Sequence, residues 1–189
     1  GGGTFGHAMA GILAAHGHPT RVSVRDPETA AAINEDRETP RYLPGQALPE
    51  GVHATEDLDE VLGGADLIFV AVPSSAFVEV LRQARPKVAD DTLVVSCTKG
   101  IHEAGFLLMS QLLEREWPHT RIGVLSGPNL AREIVERKFT GTVIASADSE
   151  LCQTIQNALS CDYFRVYDNP DMYGVELGGA LKNIYAVAS

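Results

Sequence analysis

The chain has 189 residues, 44% of them hydrophobic, which is enough to bury one core and part of a second domain. Its formal net charge of -10, from 15 basic and 25 acidic side chains, argues against nucleic acid or an anionic lipid surface as a partner. The longest purely apolar run, residues 67–72, is far shorter than the roughly 20 residues of a membrane-spanning helix, so we expect a soluble protein without membrane insertion.

The cysteines and histidines point to no disulfide framework and no metal site. Cys97, Cys152 and Cys161 are odd in number and form no C-x-x-C pair, which is typical of free thiols in a reducing cytoplasm. The six histidines are scattered or, like His16 and His18, flank a turn. We therefore predict a cytoplasmic protein without a bound metal.

Short β-branched segments alternate with segments of helical period along the chain, with Gly, Pro or Asp at the joints. This alternation predicts an α/β fold with a doubly wound, mainly parallel sheet. The predicted helices are Phe5 to His16, Pro27 to Asp36, Ser75 to Arg85, Phe106 to Glu116, Ala131 to Arg137 and Glu150 to Leu159. The predicted strands are Thr20 to Arg25, Val52 to Ala54, Leu67 to Val72, Thr92 to Ser96, Ile122 to Leu125, Thr142 to Ala145 and Phe164 to Tyr167.

Local signals refine several of these elements. Asp26 before Pro27 predicts an N-cap with proline at the first helical position, and Ser149 is predicted to cap the later helix. Gly17 is predicted to end the first helix in a left-handed conformation. The strand at 67–72 is apolar on both faces, which predicts a central parallel strand, and the long irregular stretch 37–51 predicts a loop over the site.

The sequence begins with a glycine motif, "GGGTFG", in which Gly1, Gly3 and Gly6 have G-x-G-x-x-G spacing at the start of a helix. Such a motif lets the backbone approach a pyrophosphate held at the helix N-terminus, and it makes the predicted sheet Rossmann-like. A strand normally precedes the motif. We expect that strand to be absent from this chain, which removes one central strand from the sheet.

Two residues at the end of the predicted strand Thr20 to Arg25 favour different dinucleotides. Asp26 has the position of the acidic residue that binds the ribose of NAD, but it is also the predicted N-cap. Arg25 has no predicted structural role, and an arginine there pairs with the 2'-phosphate of NADP. NADP is therefore the favoured cofactor, with NAD as a second one, and a solvated surface charge is the alternative for Arg25.

Three later strand ends, "VPSSAF", "SCTKG" and "SGPNLA", point to the carboxyl edge of the sheet, where ligands bind in such folds. Phe77 is placed to pack on a nicotinamide or ribose, with a core aromatic as the alternative. Lys99 holds an ammonium where a phosphate could lie, or is an ordinary turn lysine. Gly127 and Asn129 open a helix whose free donors near Ala131 can face an anion, unless Asn129 is simply an N-cap.

The stretch "GVELGGALKN" places Lys182 one turn after two glycines. Helical side chains lean towards the N-terminus, so Lys182 is expected to project over Gly178 and Gly179 into open space. Two interior glycines cost about 1 kcal/mol each relative to alanine. Close helix contact explains the glycines but not the lysine, because it would bury an unpaired charge.

These segments resemble a known family. "GGGTFG", "RYLPG", "VPSSAF", "TKGI", "SGPNLARE" and "GVELGGALKN" occur in the order and spacing of bacterial NAD(P)-dependent glycerol-3-phosphate dehydrogenases, across essentially the whole chain. The last two segments are the specific ones. The resemblance implies a cytoplasmic homodimer that supplies glycerol phosphate for phospholipids.

The resemblance also implies roles for individual residues. The lysine matching Lys182 is the catalytic proton acceptor, and the lysine matching Lys99 touches cofactor and substrate. The small phosphorylated substrate is held at Gly127 and Asn129, and we place Asn183 beside them. Cofactor contacts are implied for the positions matching Thr4, Phe5, Arg25, Tyr42 and Ala131. Phe5 and Asn129 depart mildly from the residues usual there.

The length is a larger departure from the family. Its helical C-terminal domain, with an Arg-Asn pair that resembles a phosphate clamp, has no counterpart in these residues. We expect residues 1–168 to form the dinucleotide-binding domain and residues 169–189 the first helix of that C-terminal domain. The chain alone is then expected to be inactive.

The sequence is also compatible with two other functions. A 6-phosphogluconate-type β-hydroxyacid dehydrogenase shares the glycine motif and a lysine on this helix. In that family, however, an asparagine follows the lysine by one helical turn, in a K-x-x-x-N pattern. Here Ala186 occupies the fourth position after Lys182. A module that senses NADP without turnover is the third hypothesis, and it has no use for Lys99 and Lys182 near each other.

Overall fold

The computed structural model describes residues 1–39, 41–103 and 105–188, with side chains up to residue 182. The helices are α1 (Thr4–Ala15), α2 (Pro27–Ala31), α3 (Leu58–Leu62), α4 (Phe77–Ala84), α5 (Met109–Glu116), α6 (Ala131–Val135), α7 (Ser149–Leu159) and α8 (Met172–Ala188). The strands are β1 (Thr20–Ser23), β2 (Val52–Thr55), β3 (Leu67–Val70), β4 (Leu93–Ser96), β5 (Ile101–His102), β6 (Leu107–Leu108), β7 (Arg121–Ser126), β8 (Thr140–Ala145) and β9 (Phe164–Asn169). A π-helical turn (Ala32–Asp36) continues α2, and 3-10 turns at Ser74–Ala76 and Arg85–Lys87 flank α4.

The main sheet has five strands in the order β3-β4-β7-β8-β9. Strands β3, β4 and β7 run parallel, β8 is antiparallel to β7, and β9 is parallel to β8. Strands β1 and β2 form a second, parallel pair, and β5 and β6 form a short antiparallel ladder. The predicted mainly parallel α/β architecture is confirmed.

The expected central position of the 67–72 strand is wrong for the described residues, because β3 lies at an edge of the five-stranded sheet. The first two residues lie between β3 and the end of β1. A Cβ added at Gly1 would stand 2.5 Å from the Ala71 carbonyl oxygen, and one added at Gly2 would stand 2.7 Å from Cγ1 of Val24. The glycine motif therefore starts in the space between the two sheets.

Helices cover both faces of the main sheet, as a doubly wound fold requires. Val94 and Val95 are neighbours on β4, both fully buried, and they belong to different core clusters because successive strand residues point to opposite faces. The Val95 cluster contains residues of α1, α6 and α7. The Val94 cluster contains residues of α3, α4 and α5 together with Trp117, whose indole donates to the Leu81 carbonyl.

Several predicted element ends are corrected by the structure. Helix α5 begins at Met109 and not at Phe106, because Leu107–Leu108 pair with β5 as strand β6. The cap of α7 is Asp148 and not Ser149, since the Asp148 carboxylate accepts from the backbone N–H groups of Glu150 and Leu151. Helix α3 was not predicted, because its five residues are too few for a clear helical period.

Other predicted ends are confirmed. Asp26 caps α2 by accepting from the backbone N–H of Thr29 at 2.8 Å, and Gly17 follows α1 with a φ of 82°.

Cys97 and Cys152 are buried free thiols. None of the helices in the described part of the chain is both long and apolar enough to cross a membrane.

Candidate functional site

The N-terminus of α1 offers backbone donors that no side chain of the described residues caps. Gly3 is the N-cap, and a Cβ added there would meet no atom within 4 Å. Gly6 faces the opposite way, since its added Cβ would stand 1.8 Å from the Gly1 carbonyl oxygen. The space in front of Gly3 is therefore suited to an anionic group such as a pyrophosphate, whereas Gly6 is required for close backbone contact.

The irregular segment after α2 is held against α1. The buried Thr39 hydroxyl lies 2.7 Å from Nδ1 of His7, and burial lowers the pKa of His7. The backbone N–H of Leu48 donates to the Arg37 carbonyl at 2.7 Å, which closes the segment on itself. This arrangement places Tyr42 beside the start of α1, as the predicted loop over the site requires.

A cleft of about 470 Å³ separates the start of α1 and this loop from α6. Its volume lies within the range of small-molecule sites. The cleft brings together three predicted cofactor-contacting residues that are far apart in sequence, Thr4, Tyr42 and Ala131. It is lined by Thr4, Tyr42, Leu43, Leu130, Ala131, Arg132, Glu133, Glu136 and Lys138.

Thr98 joins the ends of two parallel strands at the carboxyl edge of the main sheet. Its hydroxyl donates to the Val72 carbonyl at 2.8 Å, directly beyond β3, while its backbone continues from β4. The next residue, Lys99, donates from Nζ to the Gly127 carbonyl at 2.8 Å, at the end of β7. The two predicted positions therefore meet. Thr98 was missed, because a threonine after a buried strand carries no specific signal.

Lys182 reaches the same edge from α8. It lies close enough to Lys99 to interact with it both by charge and by a side-chain hydrogen bond. Burial first, and then the like charge of Lys182, lowers the pKa of Lys99. An amine whose pKa is lowered in this way can exchange a proton more readily near neutral pH, and Lys182 places a second amine beside it.

Asn129 lies two residues after Gly127, whose carbonyl accepts from Lys99, but it does not cap α6. Its Nδ2 donates to the Thr142 hydroxyl at 2.8 Å, and Leu130 occupies the N-cap position. The Asn129 side chain is buried, and its Oδ1 has no hydrogen-bond partner among the described residues. A buried acceptor without a partner is costly, so a ligand hydroxyl or ammonium is a suitable donor for it.

The two glycines before Lys182 have different environments. A Cβ added at Gly179 would stand 2.2 Å from Oγ of the buried Ser126, so Gly179 allows α8 to approach the end of β7. A Cβ added at Gly178 would meet no atom of the described residues within 4 Å. The expected open space is therefore found at Gly178, and close helix contact explains Gly179.

The remaining predicted site residues differ in outcome. Phe77 is fully buried among the core residues of α4 and α5, so its ring is not available to a ligand and the predicted nicotinamide contact is corrected to the core alternative. Phe5 packs partly on the Val95 cluster, and Arg25 is exposed two residues beyond the end of β1. The side chain of Asn183 lies outside the described residues. No three His, Cys, Asp or Glu side chains of the described chain form a metal-binding group.

A known protein family matches most of the chain. The family described as NAD-dependent glycerol-3-phosphate dehydrogenase N-terminus matches residues 1–152. The chain belongs to this family. The 6-phosphogluconate-type assignment is thereby set aside, and the glycerol-3-phosphate dehydrogenase resemblance is confirmed.

Two curated relatives carry the name glycerol-3-phosphate dehydrogenase [NAD(P)+]. The protein of Alcanivorax borkumensis is 73% identical over all 189 residues, which cover 55% of its length. The protein of Saccharophagus degradans is 49% identical over the same residues, which cover 53% of its length. The chain thus spans about half the length of these glycerol-3-phosphate dehydrogenase relatives.

A solved structure shows the same fold. The crystal structure of glycerol-3-phosphate dehydrogenase from Coxiella burnetii superposes with a TM-score of 0.93 and 34% sequence identity. The match covers 100% of this chain and 57% of that protein. The Rossmann-like α/β fold of the glycerol-3-phosphate dehydrogenase family is therefore confirmed.

Proposed function

We propose that the full-length protein is an NAD(P)-dependent glycerol-3-phosphate dehydrogenase that interconverts sn-glycerol 3-phosphate and dihydroxyacetone phosphate. The observation that carries this proposal is the Lys99–Lys182 pair at the carboxyl edge of the sheet, which faces Gly127. A module that only sensed the dinucleotide would not need to hold two like charges together. Family membership and the uncapped start of α1 support the same function.

Lys182 is the proposed proton acceptor. Bound NAD(P) would supply hydride transfer at C2, and the C2 hydroxyl would then have to give up a proton to a neighbouring group of the protein. A free lysine, with a pKa of about 10.4, is a poor base at neutral pH. The neighbouring Lys99, whose pKa is lowered by burial and then by the charge of Lys182, is the amine of the pair that gives up a proton more readily. The two amines are therefore proposed to take up the substrate proton together and, in the reverse direction, to return it to the ketone oxygen.

Substrate recognition is proposed for the groups around this pair. The ammonium of Lys99 offers a positive charge to a phosphorylated substrate, and its contact with the Gly127 carbonyl fixes its direction. The buried Oδ1 of Asn129 can accept from a substrate hydroxyl, because Nδ2 is already used by Thr142. Asn183 remains a proposed contact.

NADP is the proposed cofactor in preference to NAD. Both carboxylate oxygens of Asp26 already accept from Thr29, which lowers the pKa of Asp26 first through the backbone bond and then through the hydroxyl. The charges of Arg41 and Arg25 lower it further, so two guanidinium groups lie near the end of β1. This surplus of positive charge fits a ribose 2'-phosphate better than a free hydroxyl.

The Arg25→Ala variant tests this preference. We expect its KM for NADPH to rise about tenfold, because a charge-assisted hydrogen bond contributes about 1.5–3 kcal/mol. The KM for NADH should stay unchanged, since NADH lacks the 2'-phosphate. Arg82→Ala is the control, because Arg82 pairs with Glu116 on the α4–α5 face. Equal rises for both dinucleotides would contradict a role for Arg25 in selecting NADP.

The organisation of the protein is also proposed from these findings. Residues 1–168 are assigned to the dinucleotide-binding domain, and residues 169–189, which contain α8, to the start of a helical C-terminal domain. The relatives are about twice as long as this chain, which leaves room for such a domain. A cytoplasmic homodimer that supplies glycerol phosphate for phospholipids is the proposed biological setting.

Turnover by the full-length protein tests the proposed function. Purified protein is expected to oxidise NADPH in the presence of dihydroxyacetone phosphate, and to oxidise NADH more slowly. Both rates are measured from the decrease in absorbance of the reduced dinucleotide. Dihydroxyacetone without the phosphate is the matched substrate control and should be turned over poorly. Binding of NADPH without turnover at any concentration of dihydroxyacetone phosphate would identify a sensing module instead.

A further inference from the structure

Glu176 is the only Asp or Glu side chain that is buried among the described residues, with an exposed fraction of 3%. A buried carboxylate is costly unless hydrogen bonds compensate it, and burial raises the pKa of Glu176. Neither the proposed proton transfer nor the proposed substrate contacts use this residue. Its conformation therefore calls for a separate explanation.

The carboxylate of Glu176 caps a different helix. Its Oε1 accepts from the backbone N–H of Ser110 at 3.1 Å, and its Oε2 accepts from the Ser110 hydroxyl at 2.5 Å. The backbone N–H of Met109 also favours the charged carboxylate and lowers the pKa of Glu176, against the larger effect of burial. Glu176 thus binds α8 to the first turn of α5, where a negative charge is also favoured by the helix dipole.

Helix α5 needs this acceptor because its own capping is incomplete. Gln111 reaches back and accepts from the backbone N–H of Leu108 at 2.9 Å, which is one half of a capping box. Leu108 holds the N-cap position and has no side-chain oxygen for the other half. The donors of the first turn would be orphaned without an acceptor from α8.

The contacts of α8 occur at a spacing of three residues. Glu176 binds α5, Gly179 lies against Ser126 of β7, and Lys182 faces Lys99. In a helix of about 3.6 residues per turn, successive members of this series lie about 60° apart. The first two contacts therefore fix both the rotation and the height of α8 before it reaches Lys182.

We propose that Glu176 is a positioning residue for Lys182, which it acts on by fixing α8 against the start of α5. This role rests on the proposed dehydrogenase function. Without the carboxylate, α8 loses one of its two fixed points, and the Lys182 amine moves relative to Lys99 and the substrate. The residues that line the cleft of Thr4, Tyr42 and Ala131 lie at the start of α1, in the irregular segment 37–51 and in and around α6, and none of them belongs to α8. NADPH binding is therefore expected not to depend on Glu176.

The test compares Glu176→Ala and Glu176→Gln in the full-length protein. Glu176→Ala should lower kcat at least about tenfold, because a misplacement near 1 Å can cost about 100-fold in rate. Its Kd for NADPH, from fluorescence titration, should be unchanged. Glu176→Gln should restore most of kcat, since its amide oxygen accepts from the Ser110 N–H and its NH₂ donates to the Ser110 hydroxyl.

Asp57→Ala is the matched control, because it removes the cap of α3 on another part of the molecule. It should lower the thermal midpoint without changing kcat. If Glu176→Ala does not fold, Ser110→Ala is the alternative variant, because it removes only the hydroxyl contact to Glu176 and keeps the backbone contact. It should displace Lys182 less and lower kcat about threefold. Wild-type kcat in every folded variant, or equal losses in Glu176→Ala and Glu176→Gln, would overturn the positioning role. Absence of turnover in the wild type would overturn the dehydrogenase function itself.

Discussion

Replacing Lys182 with alanine in the full-length protein is expected to lower kcat for NADPH oxidation by about 10²–10⁴-fold, the usual contribution of a positioned acid or base. The reason is that the C2 oxygen then exchanges its proton with water and not with an aligned amine. NADPH affinity should be retained, because the cleft of Thr4, Tyr42 and Ala131 does not include Lys182. Steady-state kinetics and an NADPH titration on the same preparation measure both quantities.

The control for this experiment is another lysine. Lys87 lies in the 3-10 turn after α4 and forms an ion pair with Asp59. This turn comes before β4, whereas Lys99 follows the carboxyl end of that strand. Lys87→Ala should leave kcat unchanged. A Lys182→Ala variant with nearly wild-type kcat would remove Lys182 from the reaction and would leave Lys99 as the remaining amine of the pair.

The part of the site that lies on parallel strands could be predicted from the sequence. Buried strands are recognisable from their apolar residues, and the carboxyl ends of parallel strands meet at one edge. Lys99 after β4 and Gly127 after β7 were therefore expected to converge, and their contact at 2.8 Å confirms it. The cap at Asp26 could be predicted as well, because capping depends on neighbouring residues only.

The contacts between distant elements could not be predicted in the same way. Glu176 looks like a polar residue in a helical stretch, and its burial becomes evident only when α8 lies against the start of α5. Phe77 was misassigned for the related reason that periodicity does not say which aromatic faces the core. The hairpin of β5 and β6 was missed because two-residue strands have no measurable alternation.

The second large effect is expected for Gly3→Ala. Gly3 has φ -75° and ψ -177°, which alanine adopts without strain, and its added methyl group would meet no protein atom within 4 Å. The free energy of unfolding should therefore change by less than about 0.5 kcal/mol. The methyl group would stand where the pyrophosphate is proposed to approach α1, so the Kd for NADPH should rise at least about tenfold, or 1.4 kcal/mol.

Alanine substitutions at two other glycines of α1 distinguish a loss of NADPH binding from a loss of stability. Gly11→Ala would meet only ordinary contacts with Leu48 and Pro49, so it should stabilise the helix by up to about 1 kcal/mol without changing NADPH affinity. Gly6→Ala would clash with the Gly1 carbonyl and should weaken both stability and binding. Wild-type NADPH affinity in Gly3→Ala would mean that the start of α1 does not hold the pyrophosphate. Loss of affinity at unchanged stability requires a ligand in the space that the protein leaves open, because no protein contact is altered there.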